Sequence, residues 1–160
     1  MNSEKQIPGS GLKIIPASWR DFGELYRLEK ICFEDDAWPF PDVLGVLTLP
    51  GIIRLKAVDG STMVGFIAAD LRPRQRAAWI ATFAVLPAYQ RMGIGTALLE
   101  ACEAQIPQPV VRLSVRRSNS EAIQLYEKQG YRRVNLWPNY YGGKEDAVIF
   151  EKHQPAAPDK

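Results

Sequence analysis

Apolar residues recur along this chain at two spacings, and the change from one to the other marks where strands give way to helices. Alternating or continuous apolar runs at 12–16, 52–58, 64–71, 78–85 and 110–115 predict strands, and two more are expected near 131–137 and 147–151. Helical spacing puts Phe22, Leu25, Tyr26 and Glu29 on two faces of a helix opened by Ser18 and Asp21. Residues 35–41 break that helix, and a short one is expected over 42–47. Asp59-Gly60 and the 72–76 segment supply turns between the early strands. A third helix, 94–105, lines up Ala97, Leu98, Ala101 and Cys102 on a core-facing stripe. The fourth follows Asn119: Ser118 and Glu121 read as its capping box, and Gly130 stands where a left-handed residue ends a helix. Strands first, then strand–helix alternation, predicts a mixed α/β sheet of about seven strands flanked by about four helices.

Composition narrows the possibilities. The 160 residues suit one domain, expected over 12–152, with 1–11 and 153–160 as loose ends rich in Gly, Ser, Pro and charge. A net charge of +2 gives little drive toward polyanions, so neither nucleic acid nor a membrane is expected as a partner. Arg116, Arg117, Arg132 and Arg133 either line one phosphate-rich ligand or form a solvated face. Cys32 and Cys102 are expected as buried free thiols, and the single histidine, His153, provides no zinc set. With no apolar run of spanning length and no signal peptide, a cytoplasmic location is expected; nothing in the sequence fixes an oligomeric state.

Candidate chemistry begins at residues 85–99, V-L-P-A-Y-Q-R-M-G-I-G-T-A-L-L, where an apolar strand ends and two glycines open an amphipathic helix. Helix N-termini present unpaired N–H groups and about half a positive charge, so Gly93 and Gly95 permit a phosphate to approach and Arg91 adds planar donors. A dinucleotide fingerprint fails: Leu98 stands where its third glycine belongs, and no acid ends the next strand. A P-loop fails for want of a lysine. What remains is Gln90-Arg91-Met92-Gly93-Ile94-Gly95, which resembles the acetyl-CoA loop of the GCN5-related N-acetyltransferase (GNAT) superfamily. Residues 113–131, L-S-V-R-R-S-N-S-E-A-I-Q-L-Y-E-K-Q-G-Y, are similar to its second signature. Asn139-Tyr140-Tyr141 and Glu145-Asp146-Ala147 resemble a segment of its RimI-like and N-terminal protein acetyltransferase branch. The likeness runs over about 12–152 and is strongest from Thr82 onward.

The resemblance implies a mostly antiparallel sheet splayed at an acetyl-CoA site, and no metal. By it, Phe83, Ala84 and Val85 act through main chain on pantetheine and the thioester carbonyl, a preorganised donor set for a developing oxyanion. Gln90, Arg91, Met92, Gly93, Ile94, Gly95 and Thr96 hold phosphates, and Asn119 reaches the pantetheine arm besides capping its helix. Tyr126 becomes the acid that protonates the departing thiolate, and Tyr140 and Tyr141 grip a peptide N-terminus. Without the resemblance Tyr126 reads as an ordinary core tyrosine, and Tyr140 and Tyr141 as aromatic packing on a loop. One position departs from the branch: Ser114 stands where relatives carry Glu or His, so no general base is assigned there. At pH 7.4 an α-amine of pKa ~7.8 is roughly a quarter neutral, a cost under about 1 kcal/mol, whereas lysine near ~10.4 costs about 4 kcal/mol. A protein or peptide α-amine is therefore the expected acceptor, acetylated by direct attack in a ternary complex. A small amine or polyamine is the alternative, and a catalytically silent acyl-CoA-binding regulatory module is the other. Glu34, Asp35 and Asp36 either relay a proton through water or form a solvated turn.

Overall fold

The computed structural model describes residues 4–7 and 10–155. In chain order they form β1 (Lys5–Gln6), β2 (Leu12–Pro16), α1 (Phe22–Phe33), α2 (Phe40–Thr48), β3 (Ile52–Asp59), β4 (Thr62–Arg72), β5 (Ala77–Val85), α3 (Ile94–Glu103), β6 (Val110–Arg116), α4 (Ser120–Lys128), β7 (Arg132–Tyr141) and β8 (Glu145–His153). The strand order is β1-β2-β3-β4-β5-β6-β8-β7, mostly antiparallel, with β5 and β6 parallel. Two compact units divide the chain: unit 1 takes the described residues of Met1–Asp70 and Ala81–Ile106, and unit 2 those of Leu71–Ile80 and Pro107–Lys160.

In unit 1, β4 is buried on both faces over 63–69, which is why its sequence is a continuous apolar run and not an alternation. Leu25 and Leu28 of α1 and Val43, Val46 and Leu47 of α2 build a core with Met63, Phe66, Ala68 and Ala84. Burying each such leucine stabilises by roughly 1.5–3 kcal/mol. α3 approaches β4 at Gly65, where an added Cβ would stand 3.0 Å from Leu98 Cδ1 and 3.3 Å from the Ala84 carbonyl. The Ser18–Asp21 capping box is present as expected, but it closes a 3-10 turn, Trp19–Asp21, ahead of α1. The break after α1 starts at Glu34, whose φ of 44° ends the helix just before the expected 35–41 interruption.

Unit 2 is a sheet with one helix. β6 runs parallel to β5 at Ala77↔Val110, Ala78↔Val111 and Trp79↔Arg112, and antiparallel to β8 from Val110↔His153 to Arg116↔Ala147. Strand alternation buries Val111, Leu113 and Val115 on one face and sets Arg112, Ser114 and Arg116 on the other. α4 covers the first face, and Gly130 ends its turn at φ 90°, as the sequence predicts.

The structure corrects the expected cap of α4. Its N-cap is Asn119, whose side chain accepts from the Ala122 N–H at 3.2 Å; Ser118 instead gives both its N–H and its hydroxyl to Glu145. A carboxylate 27 residues away outcompetes the local partner. The terminal stretches differ as well. Lys5–Gln6 form an eighth strand against Ile14 and Lys13, and His153 pairs with Val110 at the end of β8. Residues 1–3, 8–9 and 156–160 of those expected loose ends lie outside the described residues. β7 outruns its expected limit because Pro138 is tolerated on an edge strand, with a register shift between Trp137 and Tyr141 and Asn139 at φ 52°.

Candidate active site

In unit 1 the chain leaves β5 at Val85 and is held there by several bonds. The Leu86 N–H donates to the Val64 carbonyl at 2.9 Å, and the Tyr89 hydroxyl donates to Asp59 at 2.7 Å. Gln90 Nε2 and Cys32 Sγ both donate to the Val85 carbonyl, at 3.2 and 3.6 Å. Arg91 and Gly93 adopt left-handed φ values of 64° and 82° on either side of Met92, a backbone that gathers N–H groups into an anion-binding concavity. Gly93 is the N-cap of the ten-residue α3, and a Cβ built on it meets nothing within 4 Å, so the helix start is open to a ligand. Met92 is exposed and Thr96 half-buried; Gly95 lies in the first turn of α3. Ile94 differs from the rest: its side chain is buried and anchors the loop, leaving only its main chain for a ligand. These features fit a pyrophosphate.

Phe83, Ala84 and Val85 form the end of β5, directly after Thr82, which binds a residue that sequence reasoning used only as a face marker. Glu29 of α1 is 1% exposed and accepts from Thr82 Oγ1 at 2.6 Å, while its Oε2 has no partner. Burial raises its pKa against the opposing hydrogen bonds from Thr82 and from the Trp38 backbone. Glu29 and Cys32, one turn apart on α1, thus bracket residues 83–84 by bonding the strand at Thr82 and Val85. A carboxylate among the apolar positions of α1 was the available signal.

Unit 2 brings Ser114 and Tyr141 together. The Tyr141 hydroxyl donates to Ser114 Oγ at 3.2 Å, and the Arg116 guanidinium lies over the Tyr141 ring at 4.6 Å. Arg116 also binds Glu145 at 2.6 Å, so the two charges nearest the hydroxyl pair offset each other. Burial is the main cause that raises the Tyr141 pKa, so its phenol stays neutral near pH 7. Tyr140 stands beside it, 54% exposed, its ring edge-on to Tyr141 at 5.0 Å.

Tyr126 occupies the opposite face of the unit 2 sheet. It is 6% exposed, with Tyr131 and Phe150 at ring distances of 5.8 and 6.1 Å, and burial pushes its pKa upward. Phe150 pairs in register with Leu113, so Tyr126 lies across the sheet from Ser114. Asn119, the α4 cap, is exposed at the end of the same helix.

The four arginines that sequence grouped do not converge. Arg116 and Arg117 pair with Glu145 and Asp146, whereas Arg132 and Arg133 are exposed on β7. Burial raises the Cys102 thiol to about 12 and the half-buried Cys32 to about 11, so both keep their protons at neutral pH. Glu34 and Asp36 belong to the 3-10 turn Glu34–Asp36, and the Asp35 side chain lies outside the described residues. Among the described residues no group of His, Cys, Asp and Glu is placed to hold a metal ion, and no helix is long and apolar enough to cross a membrane.

Residues 19–131 match the family described as Acetyltransferase (GNAT) family. The chain is 36% identical over 139 residues to the [ribosomal protein bS18]-alanine N-acetyltransferase of Haemophilus influenzae, covering 81% of this chain and 90% of that protein. It is 43% identical over 74 residues to an N-alpha-acetyltransferase of Sulfurisphaera tokodaii, a match that spans only 44% of each chain. Among solved structures, the ribosomal-protein-S18-alanine N-acetyltransferase from Escherichia coli superposes with a TM-score of 0.82 at 26% identity, covering 93% of this chain and 98% of that one.

Proposed function

Since this chain belongs to the acetyltransferase (GNAT) family, we propose that it moves the acetyl group of acetyl-CoA onto the α-amine of a protein or peptide N-terminus. The observation that carries the choice of acceptor is the Tyr141–Ser114 hydroxyl pair. It is uncharged, and the carboxylate beside it, Glu145, is engaged by Arg116 and Ser118, so the pair suits a neutral amine and gives a lysine ammonium no unengaged carboxylate to lose its proton to. The names of the H. influenzae and S. tokodaii relatives support the same acceptor class.

In this reading the loop from Gln90 to Thr96 and the start of α3 hold the CoA pyrophosphate on main-chain N–H groups, with Arg91 as a cationic partner. Gln90 contributes by fixing the loop to Val85, and Asn119, the cap of α4, is the residue assigned to the pantetheine arm. Main-chain groups of Phe83, Ala84 and Val85 orient the thioester, and α1 stiffens that segment through Glu29 and Cys32. Tyr140 and Tyr141 position the acceptor.

The neutral amine attacks the thioester carbonyl, forming the C–N bond. As the C–S bond breaks, the CoA sulfur leaves with the electron pair and takes the phenolic proton of Tyr126; the amine proton passes to water, and a proton from water restores the phenol.

A screen with labelled acetyl-CoA tests this against three acceptors: a peptide with a free N-terminus, the same peptide blocked there but carrying an internal lysine, and a polyamine. Label transfer to the first is expected to dominate near pH 7.5. Preference for either other acceptor, or CoA binding without transfer to any, overturns the reading.

A further inference from the structure

The side of the unit 2 sheet opposite α4 carries a row of aromatic rings that starts at the acceptor-positioning Tyr141 and Tyr140 and continues through Trp137 and Trp79, two rings to which the acetyl transfer itself gives no task. From Tyr141 the row passes to Tyr140 at 5.0 Å, to Trp137 at 5.3 Å and to Trp79 at 5.8 Å, where the last two rings stack. Arg72 closes it, its guanidinium 5.8 Å from the Trp79 ring. Register confirms that the row lies on one face: Trp79 pairs with Arg112, and Trp137 pairs with Ala147, the partner of Arg116. Tyr140 is exposed, and Trp137, Trp79 and Tyr141 are half-exposed. An extended chain advances about 3.3 Å per residue, so about five residues span the three steps between rings.

The charge at the far end is one-sided. The hairpin between β4 and β5 reads Arg72-Pro73-Arg74-Gln75-Arg76, all exposed. The sequence of unit 2 holds twelve Lys and Arg against six Asp and Glu, a net of +6, while unit 1 holds eight against twelve, a net of −4. The modest net charge of the whole chain therefore conceals a basic half, and the rings run from the acceptor end of that half to its arginine hairpin.

We propose that this row is a second acceptor subsite, which takes the segment of the substrate polypeptide that follows its N-terminus: about five apolar or aromatic residues over the rings, then carboxylates at the Arg72–Arg76 hairpin. The proposal rests on the N-terminal acetylation reading and sharpens it, because it predicts selection well beyond the first residues of the acceptor. Flat rings favour a loosely specified apolar segment, and arginine donors suit carboxylates.

The test uses three peptides sharing their first three residues: a tripeptide amide; a twelve-residue peptide with apolar residues and then three aspartates; and the same twelve-mer with lysines for the aspartates. kcat/KM is measured for each, and binding is followed in parallel by tryptophan fluorescence. The aspartate twelve-mer is expected to exceed the tripeptide about tenfold, mostly through KM, and the lysine twelve-mer to lose much of that gain. In Trp137→Ala the ratio of long to short peptide should fall toward one. Should that variant misfold, Arg74→Glu, on the exposed hairpin, must still reverse the preference between the two twelve-mers. A wild-type ratio near one, tighter binding of a single-stranded oligonucleotide than of the aspartate peptide, or a concentration-dependent dimer abolished by Arg74→Glu overturns the proposal. Aspartate-peptide binding without acetylation of any N-terminus upholds the subsite and instead overturns the acetylation reading.

Discussion

A phenol enclosed by Tyr131 and Phe150, with its pKa raised by burial, keeps its proton through the alkaline range. Tyr126 thus remains able to donate wherever the acceptor amine is neutral, and the rate should show no alkaline fall from its ionisation up to about pH 10. Tyr126→Phe preserves the ring packing and removes only the proton; turnover is expected to drop by roughly 10²-fold with acetyl-CoA affinity unchanged, measured by steady-state kinetics and by titration. Unaltered turnover would leave Tyr126 as a core residue. At Ser114 the expectation concerns the base. Wild-type rates on an α-amine should climb through about pH 7 to 8 as the amine deprotonates, and Ser114→Glu, which places a carboxylate beside Tyr141, should carry activity to lower pH and improve an internal-lysine acceptor. The family resemblance marked Ser114 as a departure, but nothing in the local sequence gave a sign of Tyr141 above it. That contact depends on a register shift in β7, which no residue near Ser114 encodes.

Among the elements, α1 bonds β5 at Thr82 and Val85 and α3 packs on β4 at Gly65, and each offers a distinct measurement. Gly65→Ala would force a methyl against Leu98 and the Ala84 carbonyl; overpacking of this kind costs about 1–3 kcal/mol, readable as a lower denaturation midpoint. For α1, Glu29 has a folded-state pKa above the ordinary glutamate value of 4.5, so its contribution to stability falls as pH rises from that value through the folded pKa. Glu29→Gln should therefore gain thermal stability relative to wild type on going from pH 4.5 to pH 8, and a difference independent of pH would show that the carboxyl carries no such penalty. The element boundaries were largely legible, since Leu12–Pro16 was predicted to the residue and α3 and β6 within two. The signals there are local: apolar periodicity, a glycine at the start of α3, a capping box before α1. Where the sequence misled, at Ser118, a distant carboxylate decided the outcome, and β1 is too short and polar to leave a periodic trace.

For the whole molecule, ligand binding and charge give the clearest readouts. Acetyl-CoA at a hundred times its dissociation constant should stabilise the folded chain by about 2.7 kcal/mol, seen as a raised melting temperature; a curve moved by ATP or NAD but not by acetyl-CoA would contradict the cradle assigned to the start of α3. The basic character of unit 2 was not visible in the net charge of +2, because the excess is balanced by acids in the other unit and appears only when residues are sorted by where they fold. That sorting also shows that unit 2 is discontinuous: the stretch Leu71–Ile80 belongs to it, yet lies between two portions of unit 1. On a ribosome, unit 1 has all of its chain once Ile106 emerges, while Ala77 and Ala78, fully buried in the finished fold, await β6 as their strand partner and the rest of unit 2 through β8. At about 5–20 residues per second the wait lasts a few seconds, with part of the β4–β5 hairpin unpaired. The interval is a natural window for chaperone capture, and a translational pause soon after Ile106 should lower the soluble yield more than one placed after β8.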